Sequence, residues 1–235
     1  MKININHMQN INYKIYNNLL KKYGIVTINE LLEDISDIRK RLEEIPKDWW
    51  FEKMNIHDNV TYRHSEAVHG KINDIYRNKC LDDVKNIYNK GEFCYHFKES
   101  RDTHFSSCLC VICDLKKIFI SEDFLNVIRN ITNDKNISVK EIFVSLYEKG
   151  NFLSVHHDKN KGKYAFVFSL NPNWNPVFGG LLNFYDINTK SIYKTCIPSF
   201  NTLTIFSLPK NKNINHFVSE VTADKQRFSV TGWLD

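Results

Sequence analysis

Three side chains in the C-terminal half could hold a divalent metal ion. In FLSVHHDKN, His156 and Asp158 stand two residues apart where a strand gives way to a polar turn. Both side chains therefore leave the same face and can chelate one ion. A third donor, His216 in INHFVSEV, lies far along the chain, on a strand that a closed sheet could bring near. Two imidazoles and one carboxylate on one side of an iron(II) ion leave three positions open, enough for a bidentate keto acid and dioxygen. His157, between the first two, points the other way. Alone the triplet is a weak signal, because a chain with 9 histidines can contain this spacing by chance.

The segment RFSVTGWLD strengthens it. Alternation puts Arg227, Ser229, Thr231 and Trp233 on one face and Phe228, Val230 and Leu234 on the other. With TADK at 222–225 as a hairpin turn, Glu220 falls opposite Arg227 and His216 opposite Thr231. Arg227 and His216 then share a face about 13 Å apart, a gap that suits a short diacid bound to the metal at one end and to a guanidinium fork at the other. A plain cross-strand pair of Arg227 with Glu220 is the competing reading. The run His104, Cys108, Cys110, Cys113 could in principle bind zinc, but SSCLCVICDL reads as an apolar, β-forming run in which cysteine behaves as a small hydrophobe.

These side chains need a scaffold. Residues 10–23 read as a short helix stopped by Gly24, and apolar residues near the 3.6 period predict a helix over 28–45, with Thr27 and Glu30 as a capping box and Pro46 at its end. Further helices are expected over 70–90 and after Ser121, an N-cap followed by Glu122 and Asp123. From about residue 139 the texture becomes short runs rich in Val, Phe, Tyr, Ile and Thr: VKEIFVSLY, FLSVHH, KYAFVFSL, LLNFYD, SIYKTCI, TLTIFSL, INHFVSEV and RFSVTGWL. Eight such strands separated by turns suggest a barrel or jelly roll.

Taken together, Tyr147-x-x-Gly150-x-x-Leu153-x-x-His156-x-Asp158, then KYAFVFSLNPNWNPVFGGLLNFYD, His216 and Arg-Phe-Ser-Val-Thr-Gly-Trp at 227–233 resemble the 2-oxoglutarate/iron(II) dioxygenases of the prolyl hydroxylase type. The resemblance covers roughly residues 118–235 and is nearest to the branch that hydroxylates a prolyl residue of a ribosomal protein and its bacterial single-domain relatives. It implies a mainly β fold with supporting α-helices, built on a double-stranded β-helix (jelly-roll, cupin-like) core. It further implies iron(II) on His156, Asp158 and His216, 2-oxoglutarate anchored by Arg227 with Ser229, and Tyr147 hydrogen-bonded to that co-substrate. Dioxygen as oxidant, ascorbate as reductant, and a protein or peptide substrate follow from the same likeness. Collagen-type relatives use lysine where Arg227 stands, which argues against collagen chemistry. The ribosomal branch carries a second barrel after the catalytic one, whereas this sequence stops two residues beyond Trp233, so contacts made by that barrel do not carry over.

The expected organisation is one catalytic domain, with a helical part at 1–95 packed on an oxygenase core at 96–235. Tyr95, His96, Arg101 and His104 are candidates for a substrate cleft, and Gly179-Gly180 for a hairpin or a close approach of chains. Apolar residues at 42% and charged residues at 25% are ordinary for a globular protein. The net charge of +5 is modest and carries no basic block that would mark a nucleic-acid site. Neither a signal-like N-terminus nor a membrane-length apolar run is present, so a cytoplasmic location with reduced cysteines is expected. Hydroxylation of a free amino acid or other small metabolite is the alternative activity, and a non-catalytic metal-binding cupin-like protein the alternative class.

Overall fold

The computed structural model describes residues 1–56, 60–65, 71–100, 108–208 and 214–235. Its elements run β1 (Lys2–Ile3), α1 (Ile5–Gln9), α2 (Tyr13–Tyr23), β2 (Ile25–Asn29), β3 (Leu32–Glu33), α3 (Ile38–Glu43), β4 (Trp50–Ile56), β5 (Val60–Ser65), α4 (Lys71–Asn89) and β6 (Tyr95–Ser100). They continue with α5 (Val111–Phe119), α6 (Glu122–Thr132), β7 (Val139–Tyr147), β8 (Phe152–His156), β9 (Tyr164–Ser169), β10 (Leu182–Asp186), β11 (Ser191–Cys196), β12 (Thr202–Ser207), β13 (Asn215–Val218) and β14 (Arg227–Leu234).

The eight C-terminal runs are all strands, and their antiparallel pairing curls them into a jelly roll. One leaf runs β11-β10-β13-β8 and the other β7-β14-β9-β12-β2. β6 ties the leaves together, because Tyr95 and His96 pair with β8 while Lys98 and Glu99 pair with β7. Period-two alternation then sorts the side chains of the second leaf. Val144, Leu146, Phe166, Phe168, Leu203, Ile205, Phe228 and Val230 pack outward against α5 and α6 as the main core, while Phe143, Ser145, Tyr147, Ala165, Val167, Phe206, Arg227, Thr231 and Trp233 line the interior. α6 begins as expected, with Ser121 Oγ accepting from the Phe124 N–H at 3.3 Å. α2 ends at Gly24 in the left-handed conformation, φ +74°.

Residues 1–95 are less helical than expected. The helix expected over 28–45 is instead β2, β3 and the short α3. Its apolar residues from Ile28 to Leu42 are buried, as their spacing requires, but Ile28 pairs with Leu203 in the ladder with β12, and Glu30 (φ 55°) and Asp34 (φ 53°) sit in left-handed conformations that interrupt a helix. Asn201 fixes the turn by bonding both the N–H and the C=O of Leu32, at 2.9 and 3.0 Å. Thr27 meets Thr204 across the ladder rather than capping a helix. Within the run SSCLCVICDL the described residues, 108–115, form no strand: α5 starts at Val111, because Cys110 Sγ accepts from the Cys113 N–H while Val111, Ile112, Leu115 and Phe119 form one buried face. TADK does not close a hairpin either. β13 lies in one leaf and β14 in the other, so Arg227 pairs with Tyr147, His216 pairs with Phe184 and His156, and Glu220 is exposed.

β4 joins β6 on the remaining side and brings a buried carboxylate, Glu52, under α4. Arg77 of α4 grips it with two bonds of 2.6 and 2.7 Å, and His96 of β6 adds a third contact at 2.8 Å. Burial alone would raise the Glu52 pKa; the bonds from His96 and Arg77 outweigh it and hold the group at about 2. Because the folded carboxyl binds its proton later than the unfolded one, this contribution is present above about pH 4.5 and lost as pH falls towards 2. Glu52→Gln should therefore cost about 3 kcal/mol at pH 7 by urea unfolding, and flatten the loss of stability between those two pH values. An unchanged pH slope would show that the cluster does not hold α4 to the sheet.

Candidate active site

A bulge sets up the metal-ligand candidates. Along β13, His216 and Val218 are two residues apart, whereas their partners on β8, His156 and Leu153, are three apart. The extra residue on β8 turns both Leu153 and His156 into the barrel, a common use of bulges beside functional sites. Asp158 follows on the inner side and His157 is exposed, as the sequence predicts.

One ligand atom from each of His156, Asp158 and His216 lies within 4.8 Å of the other two. The His216 Nε2 and His156 Nε2 atoms stand 3.4 and 3.7 Å from the Asp158 carboxylate oxygens. His156 Nδ1 faces the Ser154 carbonyl at 2.9 Å and His216 Nδ1 the Ile214 carbonyl at 3.3 Å. A carbonyl only accepts, so each Nδ1 carries the proton and each Nε2 presents its lone pair to the centre. Burial, followed by the neighbouring His216, pushes His156 down to about 4, so its ring is neutral at physiological pH. Burial opposes ionisation of Asp158, but its closeness to His216, and then to His156 and the Trp233 N–H, brings it to about 2. Neutral imidazole beside ionised carboxylate suits a divalent cation that keeps open coordination positions.

Arg227 lines the same cavity, whose volume is about 230 Å³. The residue is 2% exposed, and its guanidinium donates to Gly180 O at 2.8 Å and to Ser229 Oγ at 2.9 Å and lies 5.0 Å from the Tyr147 ring centre. None of these partners is charged, and no carboxylate among the described residues forms an ion pair with it. Desolvation lowers its pKa to about 10, which leaves it cationic. A buried cation with only neutral partners fits an incoming carboxylate. The Glu220 pairing is thereby excluded in this fold. The close-approach reading of Gly180 applies: at φ +64°, a Cβ there would stand 2.9 Å from Arg227 Cδ. Tyr147 is buried and stacked on Phe97, rings 5.1 Å apart and 7° from parallel.

Of the cleft candidates, Tyr95 lines the cavity, His96 is engaged with Glu52, and Arg101 and His104 lie outside the described residues. Sequence reasoning missed Phe97, the Lys53–Glu99 pair (2.7 Å) on the wall, and the bond from Trp233 Nε1 to Asp158 Oδ2 (3.0 Å). Only the last had a signal, since alternation on β14 had already turned Trp233 inward.

Comparison with known proteins accords with this geometry. Residues 142–235 match the family model described as the 2OG-Fe(II) oxygenase superfamily, 2OG being 2-oxoglutarate. The chain carries a 2OG-Fe(II) oxygenase domain. It is similar to the prolyl 3-hydroxylase OGFOD1 of Mus musculus, 29% identical over 71% of this chain and 27% of that protein. It is also similar to its counterpart in Xenopus laevis, 31% identical over 70% of this chain and 29% of that protein. The chain thus spans under a third of the length of these curated relatives. The fold of the oxygenase domain and its N-terminal cover is shared with a 2OG-Fe(II) oxygenase family oxidoreductase from Burkholderia pseudomallei, with a TM-score of 0.60 and 10% identity over 96% of this chain and 92% of that one. The oxygenase family implies iron(II), 2-oxoglutarate and dioxygen, and the donor set and the buried guanidinium of Arg227 fit the first two. No helix among the described residues is long and apolar enough to cross a membrane.

The Trp233 bond holds the Asp158 carboxylate in place. Trp233→Phe keeps the aromatic volume and removes the donor, so metal affinity should fall about tenfold in anaerobic cobalt(II) or iron(II) titrations while the melting temperature changes little. Unchanged affinity would mean that the carboxylate is oriented without it.

Proposed function

We propose that this chain is an iron(II)- and 2-oxoglutarate-dependent dioxygenase that hydroxylates a prolyl residue of a protein or peptide. In this reading His156, Asp158 and His216 hold the iron, Arg227 takes the distal carboxylate of 2-oxoglutarate with Ser229 orienting its fork, and Tyr147 lies alongside the co-substrate. The observation that carries it is the meeting, in one cavity of about 230 Å³, of a three-donor metal set and a buried guanidinium without an anionic partner. When bound, the metal with co-substrate and dioxygen supplies an oxidation that puts one oxygen atom into a substrate C–H bond and the other into succinate, with release of carbon dioxide. The chain's own part is positional. Arg227 fixes the diacid, Asp158 is steadied by Trp233, and Phe97, Phe143 and Phe206 keep bulk water from the interior.

The names of the curated relatives support the prolyl reading, as does the space outside the cavity. A cleft of about 1040 Å³, bordered by Phe93, Val155, His157, Lys159, Tyr185 and Ile187, opens onto His156 and Asp158. A free amino acid wants a closed pocket, whereas an extended peptide wants such a groove, and proline's fixed φ keeps a peptide extended. Ascorbate as the reductant that keeps iron ferrous, a cytoplasmic location, and one catalytic domain formed by 1–95 packed on 96–235 belong to the same proposal.

Asp158→Ala and His216→Ala should each abolish 2-oxoglutarate-dependent succinate formation while leaving the circular dichroism spectrum in place. Normal turnover by either variant would sink the ligand assignment. Arg227→Ala should weaken 2-oxoglutarate by about 2–4 kcal/mol, a rise of roughly 30- to 1000-fold in the concentration required. Peptide mass spectrometry after incubation with a host proteome, iron(II), ascorbate and 2-oxoglutarate should find one added oxygen on proline. Oxidation of free metabolites alone would refute the prolyl substrate but not the oxygenase chemistry.

A further inference from the structure

Three cysteines that the oxygenase reading leaves unused converge at the start of α5. Cys108, Cys110 and Cys113, spaced Cys-x-Cys-x-x-Cys, have all three Sγ atoms within 4.8 Å of one another. The other three cysteines, Cys80, Cys94 and Cys196, are buried and belong to no such cluster among the described residues. The grouping follows from the helix start. Cys110 is the N-cap, with its sulfur 3.4 Å from the Cys113 N–H, which places Cys113 one turn into the helix above it. The chain preceding the cap brings Cys108 round to the same point, with Lys117 Nζ 3.5 Å from the Cys108 carbonyl. All three residues are partly exposed, so a solvated ion can reach them.

We propose that Cys108, Cys110 and Cys113 form a thiolate site for a soft, closed-shell cation, zinc(II) or copper(I), separate from the His156, Asp158 and His216 site. Three sulfurs at about 2.3 Å from one ion are about 3.8 to 4.0 Å apart in tetrahedral or trigonal arrangements, inside the 4.8 Å limit within which the three sulfurs lie here. A disulfide needs two sulfurs at about 2.05 Å and leaves the third without a role. The donor type selects the ion, because thiolate sulfur takes zinc(II) and copper(I) ahead of harder ions. The negative charge left on the complex lies at the positive end of the α5 dipole and near Lys117. Each thiol that binds gives up its proton to solvent, with no change of oxidation state. The bound ion would pin the chain before α5 to the helix, and α5 packs beneath β7 in the main core, so occupancy should stabilise the fold by mass action.

The test uses the full chain, reduced and anaerobic, with His216→Ala added to weaken the other metal site. Cadmium(II) should give a thiolate-to-metal charge-transfer band that saturates at one equivalent, a signature that nitrogen and oxygen ligands do not produce. Zinc(II) in one arm and copper(I) in the other, each against a competing chelator and read by native mass spectrometry, identify the preferred ion, and that ion should raise the melting temperature. Cys108→Ser, which lies outside the core and should fold normally, should lose about a third of the band and bind more than about 100-fold more weakly, since even outer-shell changes reach that size. Cys196→Ser should bind as the parent does. Failure of all three ions to bind, or a band that survives Cys108→Ser and Cys113→Ser together, would each overturn the site.

Discussion

The two-sided ladder of β14 is the constraint on which the rest depends. It pairs with β7 along one edge and β9 along the other, so neither its register nor its tilt can change without breaking hydrogen bonds on both sides. A one-residue slip would put Arg227 among Phe166, Phe168 and α5, and Phe228 in the cavity. Ser229 opposite both Ser145 and Ser169 marks where the inner face narrows to small polar side chains, giving the guanidinium room to turn back on its own strand. Trp233, further along the same face, reaches Asp158. One strand therefore contributes the candidate anion anchor at one end of the cavity and the brace of a metal-ligand candidate at the other.

Among the described residues, the two most deeply buried charges show how stability and function diverge. Glu52 is met by Arg77 and His96, an arrangement that repays desolvation and ties α4 to the sheet. Arg227 is buried to the same degree and receives only a carbonyl, a hydroxyl and the Tyr147 ring, which leaves much of the desolvation cost uncompensated. A fold that needed Arg227 only for stability would be served better by an apolar residue at that position. The local cost is tolerable because the surrounding leaf is densely packed, with Phe228 and Val230 on either side of Ser229 fully enclosed.

Much of this was legible in the sequence where one local rule decided the outcome. The eight C-terminal strands announced themselves by alternation and turns, α6 by its Ser121 cap, and the candidate donors by a His-x-Asp pair at a strand end. Long-range pairing was the part that could not be read. Residues 28–45 have a helical spacing of apolar groups, yet β12 offers an open edge that takes Ile25–Asn29 as a strand, an outcome visible only once both are folded. The turn after Val221 looked like a hairpin, but in a jelly roll it carries the chain from one leaf to the other, so the cavity shared by Arg227 and His216 was anticipated correctly from a mistaken register. The cysteine run failed for a third reason: a sulfur acting as a helix cap gives no pattern that distinguishes it from a sulfur in a strand.

The two clusters of candidate donors lie on opposite sides of the β7-β14-β9 leaf, and this separation has a chemical consequence. Nitrogen and carboxylate oxygen face the enclosed interior, while sulfur faces solvent at the edge of the helical layer. For a common donor set, zinc(II) binds more tightly than iron(II), so affinity alone would not keep iron in the interior. Donor type and open coordination positions can do what affinity does not, because three thiolates favour the softer ion while the interior set suits an ion that must also accept an oxygen-donor co-substrate. The leaf between them keeps the two sets from mixing, and a metal drawn to one cannot borrow a ligand from the other.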